Sequence, residues 1–412
     1  MAGDINEQLE MLRAKIAGIN QRFESPPPAR EPVQYDVSDA LPGTEVETPQ
    51  GKHWETETHH AAHRYHGSAS VGELADLPRD LFRDISNGEV RDAGPAEWAF
   101  LDTETTGLAG GAGTFAFLIG VGRITPDGFR VRQFFLREPG EEPSVLAALA
   151  AHLEPFRVLV TYNGKAYDQP LLETRYRLTR ARPPFARMDH LDLLYTARRL
   201  WKLRLESCRL VEIESRILGI ERQDDVPGSL IPSLYFDYLR TGRAARLASV
   251  FSHNVSDILT LACLCGIAPR AFVPAREAAA GLHGAEMVGV ARWCRQMGDE
   301  ARALDLFRAA IERGLNDDLL FRTLWDAAAL EKKLGQIAAA VATWRELAGV
   351  RNPFRAQALE ELAKHFEHRE GNPAAALEFT LAALNHEPAP ALARRRERLE
   401  KKLAKRAGGG LL

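Results

Sequence analysis

Apolar positions Ile5, Leu9, Leu12, Ile16 and Ile19 recur at alternating steps of four and three residues. That spacing draws one stripe along an amphipathic helix over residues 4–23, a unit closing near residue 24. The string SPPPAREPVQ then breaks the pattern, and its prolines favour an extended linker over 25–40. Over 41–97 the string GTEVETPQGKHWETETH predicts an extension with two short strands around a Pro-Gln-Gly turn. From Trp98 onward unbroken apolar runs predict strands at Trp98–Leu101, Phe115–Ile124, Phe129–Leu136 and Val158–Tyr162, with a helix over Pro143–His152. From Ala166 to Ala268 the pattern is mostly helical, interrupted by the loop DDVPGSLIPS. Strands, a helix, a further strand and then helices describe one α/β domain over 98–270, a mixed sheet with a crossover.

The last third, 275–406, is alanine-rich, helical and repetitive. Gly298, Gly335 and Gly371 are spaced 37 and 36 residues apart. Each is followed at fixed offsets by Ala303, Ala340 and Ala376, then by Phe307, Trp344 and Thr380, then by Ala310, Leu347 and Ala383. Pro353 and Pro388 close the second and third units. The period is close to the roughly 34 residues of the tetratricopeptide repeat, which stacks helix pairs into a curved surface. Such a surface binds partners or guides a strand, or else caps the α/β domain.

A chain of 412 residues accommodates two to three such domains. No apolar run approaches the roughly 18 residues needed to cross a bilayer. The start MAGDINEQLEMLRAK lacks a basic region followed by an apolar core, so the expectation is a cytoplasmic protein. Cys208, Cys263, Cys265 and Cys294 form no disulfide or zinc pattern. The net charge of -3 gives no bulk attraction to nucleic acid, but its distribution is uneven. Arg157–Arg209 holds twelve Lys/Arg against five Asp/Glu, and Arg394–Arg406 holds eight against two. Two basic zones suit a polyanion, although a solvated helix face explains the second equally well. His53, His59, His60, His63 and His66 cluster in the extension without a recognised ligand spacing, which favours surface or structural roles over a metal site.

Three acidic motifs carry the chemistry. In WAFLDTETTGLAGG the carboxylates of Asp102 and Glu104 are two apart at a strand end, hence on one face. Their mutual repulsion calls for a divalent cation. In VLVTYNGKAYDQPLL, Asp168 falls in the first turn of a helix beside a strand end, flanked by Asn163, Lys165 and Tyr167. In FSHNVSDILTLACL, His253 and Asp257 are one helical turn apart. His253 is then placed to take a proton from water while Asp257 holds metal. The Asn254-Val255-Ser256 sequon lies between them, where a glycan would block the site. Asp192 in HLDLL reads as an exposed helix start, with an acid that supports the ligating carboxylates from behind as the alternative.

The order Asp102, Glu104, Asp168, His253, Asp257 resembles the DEDD exonucleases of the ribonuclease-H-like superfamily. HLDLLYTARRLWKLRLESCRL and DDVPGSLIPSLYFDYL resemble in particular the YprB-type members, the group that includes mitomycin repair factor B and joins such a nuclease to C-terminal tetratricopeptide repeats. One departure stands out. The histidine subclass usually has five residues from histidine to aspartate, whereas this chain has the four-residue step of the tyrosine subclass.

The resemblance implies a ribonuclease-H-like mixed sheet flanked by helices, followed by an all-α repeat domain. It implies two Mg²⁺ or Mn²⁺ ions, with Asp102 bridging, Glu104 and Asp257 completing one site, Asp168 serving the other, and His253 as general base. It also implies that Thr105, Thr106, Gly107 and Leu108 touch the terminal nucleotide. Asn163 and Lys165 are candidates for phosphate contacts, and AGGAGT could cradle phosphate or simply connect a hairpin. The expected activity is 3′→5′ exonucleolysis, on DNA rather than RNA, in repair and beside a helicase. An exoribonuclease and a non-catalytic repeat scaffold are the alternatives.

Overall fold

The computed structural model describes residue 10 and residues 37–77, 79, 83, 85–86, 88–107, 113–222, 225–269 and 282–408. The helix expected over 4–23, most of the proline-rich linker and Leu108 lie outside them.

The extension enters the structure as β1 (Thr44–Thr48) and β2 (Gly51–Ala61), turning at Pro49-Gln50, with a small hairpin of β3 (Tyr65–His66) and β4 (Ala69–Ser70). The nuclease-like segment supplies β5 (Trp98–Thr105), β6 (Ala116–Thr125), β7 (Gly128–Phe135), β8 (Val158–Thr161) and β9 (Asp189–Asp192). One seven-stranded mixed sheet results, in the order β1-β2-β7-β6-β5-β8-β9. β5 pairs antiparallel with β6 and parallel with β8, and β9 continues the parallel edge. On the opposite edge β2 pairs antiparallel with β7 from Trp54 opposite Phe135 to Ala61 opposite Gly128. The extension is thus two further strands of the same sheet.

Helices cover both faces: α1 (Glu142–Leu153), α2 (Asp168–Leu178), α3 (Leu193–Trp201), the single turn α4 (Leu210–Ile213), α5 (Ile231–Thr241) and α6 (Leu247–Ile267). Alternation in β5 divides the core. Trp98 and Phe100 point to the side where Ile258, Leu261 and Cys263 of α6 pack, whereas Ala99 and Leu101 meet Val145 and Leu149 of α1 and Tyr235 of α5. By length and composition α6 is the one described helix that could cross a membrane, but most of it is buried as a core helix of this domain. Gly120 and Gly122 of β6 let α6 approach: a Cβ at Gly120 would collide with the Asn254 side chain, and one at Gly122 with Ile258.

The clustered histidines separate along the extension. His53 is buried between Ser144 Oγ (2.9 Å) and Glu55 Oε1 (3.0 Å), His59 faces Asp127, and His66 Nε2 lies 2.9 Å from Thr260 Oγ1.

The C-terminal region is helical throughout its described length: α7 (Gly284–Gln296), α8 (Glu300–Arg313), α9 (Asp317–Lys333), α10 (Ile337–Gly349), α11 (Arg355–His368), α12 (Pro373–His386) and α13 (Pro390–Gly408). The recurrent glycines lie between α7 and α8, α9 and α10, and α11 and α12, each with positive φ (+85°, +78° and +59°). A side chain is disfavoured in that conformation, which explains the recurrence. Ala303, Ala340, Ala376, Phe307, Thr380, Ala310, Leu347 and Ala383 are fully buried at the fixed offsets, and Trp344 nearly so. The first pair is fused to the nuclease-like domain. Its Met287, Val288, Trp293 and Phe307 share one core with Trp98, Leu200 and Trp201.

Candidate active site

β5 runs on past its apolar half, so Asp102, Thr103 and Glu104 all lie within the strand. Its pairing with β6 slips between Glu104 and Thr105, beside the carboxylates. Strand alternation turns Asp102 and Glu104 to the face that α6 covers. There Asn254 Nδ2 donates to Asp102 Oδ2 at 2.8 Å, and Asn254 is itself held by Gln133 Nε2 at 2.9 Å. On the other side of the strand Thr103 Oγ1 donates to Asp168 Oδ1 at 2.5 Å, tying the first residue of α2 to the same strand end.

His253 and Asp257 face this point from α6. Glu104, His253 and Asp257 offer ligand atoms within 4.8 Å of one another, the one such group of three among the described residues. The four-residue step therefore brings both side chains to the same place. Both oxygens of Asp225 lie on His253 Nδ1, at 2.8 and 2.9 Å. Arg222 Nη1, which can only donate, lies 3.2 Å from the same nitrogen, but the Asp225 carboxylate is nearer and only accepts; Nδ1 therefore donates to Asp225, and Nε2 lies 3.6 Å from Asp257 Oδ2. Arg222 pairs with Asp257, with Glu214 (2.5 Å) and with Asp225 (3.0 Å). Glu214, almost wholly buried, also takes a hydrogen bond from Thr260, which is joined in turn to His66 of the extension.

The electrostatics are those of a site short of positive charge. Burial, followed by the charges of Asp257, Glu104 and Asp168, holds the Asp102 pKa well above the usual carboxylate range. Burial and then Asp257, Asp168 and Asp225 push Glu104 up to about 8. Asp168 rises to about 6 through burial, against the opposing hydrogen bond from Thr103. Burial raises Asp257 too, although Arg222 opposes it. Glu104 is 9% exposed, and no hydrogen bond to its carboxylate is formed among the described residues. Four crowded carboxylates, one without a partner, fit a divalent cation bound by oxygen.

Two cavities meet at Asp102. A smaller one, about 260 Å³, reaches Asp168, Thr105, Gly107, Thr114 and Tyr167. A larger one, about 770 Å³, extends to Asp257, Arg198, Lys202 and Arg209. Tyr162 and Asn163 line both.

Comparison with known proteins agrees with this fold. Residues 99–268 match the model of the RNase_H superfamily. YprB of Bacillus subtilis (strain 168), a protein described as uncharacterized, is 35% identical over 288 residues, which span 69% of this chain and 68% of that protein. The chain belongs to the YprB family of ribonuclease-H-like proteins. The family B DNA polymerase of the archaeon Pyrobaculum calidifontis is more distantly similar, at 17% identity and a TM-score of 0.34, over 50% of this chain and 30% of that chain.

In this YprB-family chain the five residues of the three motifs converge, but the flanking residues divide. Thr105 Oγ1 donates to the Gly107 carbonyl at 3.0 Å, and both residues line the smaller cavity. Thr106 instead closes the β5–β6 connection through Phe115. Asn163 adopts a positive φ of 64° at the junction of the two cavities. Lys165 turns away to Glu89 (3.1 Å) and lines a separate cavity. Asp192, expected as an exposed helix start, is 3% exposed. Its oxygens cap α3 through Leu194 N–H (3.0 Å) and hold the N–H groups of Asn163 (2.7 Å) and Lys165 (3.1 Å). That double duty requires burial beside the β8 loop.

Sequence reasoning passed over Glu214, Arg222, Asp225 and Asn254. Asp225 is the second acid of Asp224-Asp225, with one residue between it and Pro227-Gly228 in the loop that interrupts the helical pattern, a place where aspartates read as turn formers. Asn254 sits inside a sequon on a buried helix face, which was the available signal that it bonds within the protein.

Proposed function

We propose that this protein is a metal-dependent 3′→5′ exonuclease that hydrolyses phosphodiester bonds, acting on DNA in repair. The observation that carries this reading is the convergence of Glu104, His253 and Asp257 within 4.8 Å beside Asp102. Asp102, Glu104, Asp168 and Asp257 would hold two divalent ions, and an all-oxygen carboxylate set suits Mg²⁺ or Mn²⁺. Such ions, when bound, activate water and neutralise the leaving oxygen.

The remaining work falls to the chain's own groups. His253 Nε2 accepts the proton of the attacking water while Asp225 keeps the ring turned toward Asp257. The water oxygen forms a bond to phosphorus, and the bond from phosphorus to the 3′ oxygen breaks. That oxygen leaves on the shortened strand and takes up a proton. Asn254 fixes the Asp102 carboxylate, and Thr103 fixes that of Asp168. The smaller cavity, with Thr105, Gly107 and exposed Tyr167, would receive the terminal nucleotide. DNA as substrate, the repair setting and a helicase partner rest on the family resemblance.

The test is a time course on single strands of DNA and of RNA labelled at either end, with Mn²⁺, Mg²⁺ or EDTA. The expected result is early release of the 3′ label as mononucleotide from DNA, only with metal. Release from the 5′ end, internal cuts, or no metal-dependent product would overturn the reading, and faster loss of the RNA strand would transfer it to an exoribonuclease.

A further inference from the structure

The larger cavity beside Asp102 is walled on one side by α3 and on the other by the turn leading into α4. α3 presents Arg198, with Lys202 one helical turn further on, and the facing turn presents Arg209; all three are exposed and line the cavity. Neither Arg198 nor Arg209 forms an ion pair among the described residues. Among the described residues Lys202 Nζ donates only to the Glu206 carbonyl (3.0 Å), and Glu206 is the acid set against the three cations on these walls. Between them lie the apolar faces of Leu194 and Leu210 and the ring of Tyr162. Tyr162 is locked in place, since its hydroxyl donates to the Cys208 carbonyl at 2.6 Å. The floor is Asp102 and Asp257. A cleft with unpaired cations on its walls, apolar and aromatic surface between them, and catalytic carboxylates at its base has the properties that hold a single nucleic-acid strand.

We propose that Arg198, Lys202 and Arg209 grip the phosphates of a single strand whose end crosses Asp102 into the smaller cavity. This assignment rests on the nuclease reading for the direction of travel, but the grip itself is a property of the metal-free protein. The cations contact backbone phosphate, so the grip is insensitive to base sequence. α3 can carry it because the helix is fixed at both ends. Asp192 caps its start, and α7 packs so closely on its end that a Cβ at Gly289 would collide with the Arg199 carbonyl. The Arg199 guanidinium also lies 4.7 Å above the Trp293 ring.

The experiment measures binding by fluorescence anisotropy, in EDTA, of a dye-labelled single-stranded DNA of about twenty bases, across a salt series. The R198A/K202A/R209A variant is expected to bind at least about tenfold more weakly. The slope of log affinity against log salt should become shallower by about 2, near 0.7 for each lost phosphate contact on a single strand. R198K/K202R/R209K should keep most of the affinity. Hydrolysis of thymidine monophosphate p-nitrophenyl ester with Mn²⁺, a substrate too short to reach the grip, should stay within about twofold of wild type in the alanine variant. Unchanged affinity and slope in the alanine variant would overturn the grip. Wild-type binding of a duplex as tight as that of the single strand, weakened equally by the substitutions, would overturn the single-strand assignment. A wild-type protein that binds the strand but hydrolyses neither substrate would sink the nuclease reading and leave the grip standing.

Discussion

At the scale of single residues, His253 is one member of a connected set. Asp225 fixes its Nδ1 side, Asp257 faces its Nε2 side, and Arg222 ties Asp225 to Asp257 and Glu214. His253→Ala is therefore expected to slow turnover by about 10²-fold or more while metal affinity, read by calorimetry, is kept. Asp225→Asn should slow it by about tenfold, because a neutral amide, which can present either its oxygen or its NH2 to Nδ1, replaces the charged acceptor that fixes the ring's tautomer and orientation. Turnover by His253→Ala at the wild-type rate would make that histidine structural. Undiminished turnover by Asp225→Asn would mean that the four-residue step alone aims the ring.

At the scale of elements, the site depends on how closely α6 lies on β6. Gly120 leaves room for Asn254, which in turn holds Asp102. Gly120→Ala should cost about 1–3 kcal/mol, since the added carbon displaces a fully buried side chain. Turnover should fall with it. Urea denaturation and an activity assay check both, and a variant as stable and active as wild type would contradict this view of the contact. The same elements show what a sequence can disclose. β5 to β8 were legible from their apolar runs, and Asp102, Glu104, Asp168, His253 and Asp257 from their order. β9 was not, because four residues with an aspartate at each end and a histidine second carry no strand pattern; the parallel edge of β8 supplies its partners. Gly120 and Gly122 mark where a helix comes close, which the apolar run of β6 does not disclose. Arg222 and Asp225 were hidden because their meaning lies in a helix some thirty residues further on.

For the whole molecule, the helical region and the nuclease-like domain share a core, and Arg204 of the segment following α3 is bonded to buried Glu286 of α7 at 2.8 Å. The first helix pair therefore supports the wall that carries Arg198 and Lys202, while the later helices extend beyond it. The extension reaches the site from the opposite direction, through His66 and Thr260 to Glu214. All of these parts surround one concentration of negative charge, that of Asp102, Glu104, Asp168 and Asp257. The most direct measurement is thermal denaturation of the full chain and of Asp102→Asn, each with EDTA and with millimolar Mn²⁺ or Mg²⁺. A bound cation stabilises the native state, so the wild-type Tm should rise by several degrees with metal. Asp102→Asn removes one of four repelling carboxylates, so its metal-free Tm should exceed that of wild type while its response to metal is lost. A wild-type Tm indifferent to both ions, or an Asp102→Asn variant that responds to them as wild type does, would contradict the claim that these carboxylates form a metal site.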